Sequence, residues 1–259
     1  LPDFPWEPRI TDVGDLRVAW VEAGPPDGPP VLLMHGEPSW SFLWRRVIPG
    51  LARSGLRALA PDLPGFGRSD KPRRVDDYSY ARLVRWMEGW MDRVGLDGAT
   101  LVGQDWGSLV GLRMVADRPE RFERVVVANG FLPTGEGTPS AVFRAWRAFA
   151  RWSPWFPVGR IVDFGCRRRL SRGERAAYDA PFPDREHRAG ARALPRLVPI
   201  RPDDPGAEEN RRAWSVLERW EKPLLTAFSD GDPVTRGLER VFQRRVPGAR
   251  ERDHVTIRG

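Results

Sequence analysis

The chain has 259 residues, 41% of them hydrophobic, enough for a large buried core, and no apolar run approaches the ~20 residues that span a bilayer. No charged-then-apolar leader opens the sequence at Leu1, and a single cysteine excludes an internal disulfide, so a cytoplasmic protein that engages no membrane is expected. The net charge of +7 does not imply nucleic acid as a partner, because basic and acidic residues alternate, as in Arg118-Pro119-Glu120-Arg121-Phe122-Glu123-Arg124.

In chain order, Val18–Val21 and Val31–Met34 read as short strands, Phe42–Ser54 as a helix, Arg57–Ala60 as a strand and Tyr80–Val94 as a helix. Thr100–Val102 follows as a strand, Ser108–Arg118 as a helix and Arg124–Ala128 as a strand. This alternation predicts an α/β fold with a mostly parallel sheet covered by helices. Leu83, Trp86, Met87, Trp90 and Met91 fall at helical spacing, and we read them as core, not site. After Asn129 the rhythm breaks. From Phe131 to Trp214 there is no clear strand, several prolines, and Trp146, Trp152, Trp155 and Phe156. The segment is too long for a loop in a compact domain and predicts a helical cap over the strand ends. The expected division is a core of residues 1–130 and 215–259 and a cap of residues 131–214. Leu224–Phe228, Arg236–Arg245 and His254–Ile257 return the chain to the core as strand, helix and strand.

The strongest chemical signal is Gly103-Gln104-Asp105-Trp106-Gly107, set between a strand and a helix. That context matches the nucleophile elbow of α/β-hydrolases, with aspartate where serine usually stands. Glycines allow the sharp turn, and the helix start supplies backbone N–H groups. The plain alternative is an aspartate capping a helix. A second element, His35-Gly36-Glu37-Pro38-Ser39-Trp40, follows the strand Val31–Met34, where this fold brings a backbone N–H toward the nucleophile. Glu37 is assigned that donor, paired with the N–H of Trp106. Read alone, this could be an ordinary Gly-Pro turn. Three histidines and one cysteine do not furnish a usual zinc site, so no metal or other cofactor is expected.

These two motifs, together with Ala60-Pro61-Asp62-Leu63-Pro64-Gly65-Phe66-Gly67-Arg68-Ser69-Asp70-Lys71-Pro72 and Tyr178-Asp179-Ala180-Pro181-Phe182-Pro183-Asp184, resemble haloalkane dehalogenases over essentially the whole chain. The resemblance implies an α/β-hydrolase fold with an inserted helical cap and hydrolysis of haloalkanes through an ester on Asp105. Its implied partners are a small halogenated hydrocarbon and the released halide, with the enzyme a monomer. It makes Asp232 the triad acid, with Asp230 the competitor and Asn129 unable to serve as a carboxylate. As a plain alternative, either aspartate could form a turn with Gly231. The Trp106 indole would hold the halide, with packing as its plain alternative role. A second halide-binding tryptophan of the family falls at Cys166, so Trp152 or Trp155 is expected to substitute, or halide binding to be weaker.

The family places its catalytic histidine in a Gly-His-Phe segment past the last strand. The sequence ends at Ile257-Arg258-Gly259, so the chain is expected to be a fragment without that histidine, with His254 a poor substitute. An epoxide hydrolase would need two cap tyrosines, where only Tyr178 is present, and a serine esterase is excluded because Ser108 lies in the helix start. A non-catalytic ligand-binding relative is the remaining alternative.

Overall fold

The short apolar runs pair into a single sheet in the computed structural model, which describes residues 1–258. Its strands are β1 (Arg9–Val13), β2 (Leu16–Ala23), β3 (Pro30–Met34), β4 (Arg57–Pro61), β5 (Ala99–Gln104), β6 (Phe122–Ala128), β7 (Leu224–Ser229) and β8 (Val255–Ile257). Their spatial order is β1-β2-β4-β3-β5-β6-β7-β8. β2 is antiparallel to both β1 and β4, and the pairings from β4 to β8 are parallel. Leu32, Leu33, Met34 and Leu101 are fully buried, as strands covered on both faces require.

The helices are α1 (Ile48–Arg53), α2 (Tyr80–Arg93), α3 (Trp106–Asp117), α4 (Ala141–Trp152), α5 (Val158–Phe164), α6 (Arg172–Asp179), α7 (Ala189–Leu197), α8 (Ala207–Leu217) and α9 (Glu239–Arg245). Ser79 starts α2 by accepting from the Arg82 N–H at 3.2 Å, and Leu83, Met87, Trp90 and Met91 form its buried stripe, as their spacing predicts. α3 is buried on every side from Trp106 to Ala116, so it lies within the core and gives its first turn a rigid seat.

Four elements depart from the sequence expectation. β1 is an added edge strand, unread because only Val13 in it is buried and no apolar alternation marks it. The single helix expected over Phe42–Ser54 is a 3₁₀ turn, Ser41–Arg46, followed by α1, whose second residue Pro49 has no N–H to continue a helix through that point. α9 starts at Glu239, three residues later than Arg236, because Gly237 adopts φ 90° just before it. β8 begins at Val255, since the His254 N–H turns back to the Arg252 carbonyl at 2.9 Å and not to β7.

Residues 131–214 contain no strand. Several contacts fasten their helices to the core side. The buried Arg45 guanidinium donates to Glu174 of α6 at 2.6 Å, and the Trp40 indole donates to the Ala177 carbonyl at 3.2 Å. α8 straddles residue 214 and packs on α3, where Arg113 donates to Asn210 at 3.2 Å. Among the described residues no helix is long and apolar enough to cross a membrane.

Candidate active site

The apolar run of β5 ends at Gly103 and Gln104, and α3 begins two residues later. Such an abrupt reversal demands close backbone approach. A side chain on Gly107 would strike the carbonyls of Met34 and His35, so only glycine lets α3 start hard against the end of β3. Asp105 bridges the two elements at φ 50°, ψ −121°, a conformation costing a non-glycine residue of order 1–3 kcal/mol. Its side chain does not cap α3, which sets aside the plain reading. Instead Oδ1 accepts from the Glu37 N–H at 2.8 Å, and the backbone N–H of Trp106 faces the carboxylate and helps to lower its pKa. A side chain on Gly36 would collide with Asp105, which explains the glycine before Glu37.

Burial pushes the Asp105 carboxyl up to about 6; the Trp106 and Glu37 N–H donors pull it down, and the charge of Asp232 pushes it up again. At neutral pH it is still an anion. The Glu37 carboxyl is raised well above the carboxylate range, first by burial and then by the charge of Asp105, with the Trp146 indole opposing the shift by hydrogen bonding. One of its oxygens is buried without a partner. Trp106 is buried, its ring edge-on to Tyr80 at 5.1 Å, and among the described residues its indole N–H has no protein acceptor.

The expected substitutes for a second site tryptophan lie elsewhere. Trp152 and Trp155 are 73% and 58% exposed, with Arg151 and Arg160 laid over their rings. Cys166 is half-buried near Asp163 and Arg45, and burial raises its thiol. The cap indole that reaches Glu37 is Trp146, braced by Phe149 at 5.6 Å and Phe156 at 5.8 Å. Sequence reasoning missed it, although α4 carries the signal: Trp146, Phe149 and Ala150 share one face, while Arg144, Arg147 and Arg151 mark the other.

At the end of β7, Asp232 Oδ2 accepts from the Asn129 amide at 2.9 Å and from the Thr235 hydroxyl, and Oδ1 accepts from the Val234 N–H at 2.8 Å. Asn129, at φ 42° at the end of β6, also accepts from the Ser229 N–H at 3.1 Å. It therefore clamps two strand ends and aims Asp232, a role beyond its being no carboxylate. Asp230 is exposed, and its N–H donates to the Ile257 carbonyl at 3.1 Å.

All three histidines are engaged away from this cluster. His35, neutral because burial lowers its pKa, accepts from the Leu63 N–H at 2.9 Å and contacts the Gly36 carbonyl at 3.0 Å, tying the loops after β3 and β4. His254 accepts from the Thr226 N–H at 3.1 Å and donates to the Ala249 carbonyl at 2.9 Å. His187 pairs with Asp184 at 2.7 Å on the surface. Among the described residues no tyrosine hydroxyl is aimed at Asp105: Tyr78 donates to Pro72, Tyr80 to Leu109, and Tyr178 meets Arg45. Glu37, Asp105, Asn129 and Asp232 follow β3, β5, β6 and β7, so they gather at the carboxyl ends of parallel strands, where open α/β sheets bind ligands.

A sequence profile described as the alpha/beta hydrolase fold matches residues 29–232. The chain is 52% identical over 247 residues to a haloalkane dehalogenase of Mycobacterium marinum, covering 95% of this chain and 83% of that protein. It is 51% identical over 263 residues to haloalkane dehalogenase 1 of Mycobacterium tuberculosis, covering 100% of this chain and 88% of that one. Among solved structures, the tetrameric haloalkane dehalogenase DpaA from Paraglaciecola agarilytica NO2 matches with a TM-score of 0.92 at 31% identity, covering 99% of this chain and 87% of that one.

Proposed function

The chain belongs to the haloalkane dehalogenases of the alpha/beta hydrolase fold, and from that membership we propose that it hydrolyses small halogenated hydrocarbons with Asp105 as nucleophile. One observation carries the assignment. Asp105 stands at the strained turn between β5 and α3 with Oδ1 held by the Glu37 N–H at 2.8 Å, which leaves Oδ2 to attack.

Oδ2 forms a bond to the halogen-bearing carbon as the carbon–halogen bond breaks, and the halide leaves with that electron pair. The indoles of Trp106 and Trp146 are the donors for the halide. An indole gives one hydrogen bond and no charge, so it stabilises the anion without trapping it. The product is an alkyl ester whose carbonyl oxygen, Oδ1, remains at the N–H groups of Glu37 and Trp106. Addition of water puts a full negative charge on that oxygen, where losing one such donor costs about 2.7–4 kcal/mol. Collapse releases the alcohol and restores the carboxylate. Asp232, oriented by Asn129 and Thr235, is assigned to fixing the base that activates this water. On this reading the core, residues 1–130 and 215–259, supplies the nucleophile, both N–H donors and the acid. The cap, residues 131–214, supplies the second indole.

The test is Asp105→Ala. The variant should lose all bromide release from a short bromoalkane while its circular dichroism and unfolding midpoint show an intact fold. Bromide release at the parental rate would overturn the assignment.

A further inference from the structure

Two clefts that share a wall lie where α4 and α7 meet residues 73–78. One, of about 540 Å³, lies between Val75–Tyr78, α4 and α7; the other, of about 340 Å³, continues from it toward Arg73 and Arg185. Arg151 and Arg196 border both. Together the clefts are lined by six arginines against two acids, Asp76 and Glu186, and Glu186 is already paired with Arg73 at 2.7 Å.

Outside the clefts half of the arginines meet carboxylates, as Arg17 meets Asp70 and Arg118 meets Asp92, whereas of the six cleft arginines only Arg73 does. In the clefts, two arginines serve the helix ends instead. Arg147 of α4 donates to the carbonyls of Arg196 and Val198 at 3.2 and 3.4 Å, closing the end of α7. Arg192 of α7 donates to those of Ala150 and Ser153 at 3.2 and 2.8 Å, closing the end of α4. Their positive charge is satisfied by carbonyl dipoles but not cancelled. Burial lowers both guanidinium pKa values; nearby Asp204 opposes the shift at Arg147, where Arg196 and Arg151 add to it, and Arg185 and Arg188 add to it at Arg192. Arg151 and Arg196 stand in front, exposed, and among the described residues neither has an ion pair. Arg151 is steadied over the Trp152 ring at 4.6 Å.

We propose that the junction of the two clefts is an anion site that takes a compact di- or triphosphate group, gripped by Arg151 and Arg196 with Arg147 and Arg192 behind them. Guanidinium forks match phosphate oxygens in pairs, and the surplus of positive charge calls for a multivalent anion, which a halide is not. Arg147 and Arg192 are already held at the helix ends and Arg151 lies over Trp152, so the cost of ordering on binding falls mainly on Arg196.

The experiment is calorimetric titration of the whole chain with sodium pyrophosphate and sodium tripolyphosphate at fixed ionic strength. A single site is expected, weakening as salt is raised. Arg151→Gln and Arg196→Gln should each reduce affinity by about tenfold and together by more, as loss of a charged hydrogen bond implies. Both side chains are exposed, so both variants should fold, and Arg219→Gln, a surface arginine outside the clefts, should bind as the parent does. The proposal fails if pyrophosphate does not bind, if the double variant binds unchanged, or if Arg219→Gln loses affinity equally. Capture on anionic phospholipid vesicles without binding of free pyrophosphate would also overturn it, because the partner would then be a lipid surface. Bromoalkane turnover enters none of these readings, so they stand apart from the assignment of Asp105.

Discussion

Replacing Asp105 by asparagine removes a charge that the fold holds at a loss. Burial raises this carboxyl from 3.8 to about 6, so the native state binds its proton more tightly than the unfolded chain does. A raised carboxylate pKa means that stability falls as pH climbs from 3.8 to 6, and the full penalty persists above 6. With 1.36 kcal/mol per unit, the ionised side chain destabilises the protein by about 3 kcal/mol at pH 8. At pH 5, where native Asp105 is mostly protonated, the penalty is roughly half of that. Asparagine keeps an oxygen for the Glu37 and Trp106 N–H groups and carries no charge at any pH. Urea unfolding at pH 8 should therefore give Asp105→Asn the higher midpoint at an unchanged slope, with the gap narrowing at pH 5. A variant no more stable than the parent at pH 8, or a gap equal at both pH values, would refute the claim that burial dominates this carboxyl.

The same ionisation governs attack: with Asp105 titrating at about 6, the initial rate of bromide release should fall about tenfold between pH 8 and pH 5, and a flat profile would exclude Asp105 as the titrating nucleophile. Trp146→Phe should raise the bromide dissociation constant, read by quenching of the remaining tryptophan fluorescence, by about tenfold, whereas Trp152→Phe and Cys166→Trp should leave it unchanged. Strengthening in Cys166→Trp would move the second halide donor away from α4. Because His35, His187 and His254 are all held elsewhere, ester hydrolysis by these residues should be slower than alkylation, so the alkyl group should accumulate on the peptide containing Asp105, detectable by mass spectrometry. Repeated turnover would mean that some side chain of these 259 residues already activates water.

What could be read from sequence was whatever rests on local chain geometry. The elbow was legible because a strand, two glycines and a helix start lie within a few residues, and the loop carrying Glu37 because it follows the most apolar strand. Seven of the eight strands had clear signals, and the eighth, β1, lacked one because an edge strand buries little. The cap was legible only as an absence of strands. Which of its aromatics faces inward depends on how α4 is rotated about its axis, and the charged residues on the opposite face of that helix were the overlooked clue. Asn129 shows another limit: its clamp on Asp232 joins residues 103 positions apart, and nothing near either one announces the contact.

With Asp105 as the proposed nucleophile, the geometry around it sets two effects against each other. The N–H groups of Glu37 and Trp106 stabilise the resting carboxylate, and that alone would slow attack, because its charge moves away to the halide in the first step. Burial acts the opposite way and prevails, since the carboxyl titrates at about 6 and not below its ordinary 3.8. The nucleophile is thus less stable here than in water, by the same ~3 kcal/mol that the asparagine variant should recover. In the second step the N–H pair no longer opposes the chemistry. The ester carbonyl is a weak acceptor, and the oxyanion formed on it is a strong one, so the same two donors bind the transition state better than the intermediate before it. One pair of N–H groups can therefore serve both steps only because the carboxylate is buried. A substitution that admits water to Asp105 while leaving Glu37 and Trp106 in place should slow alkylation more than ester hydrolysis.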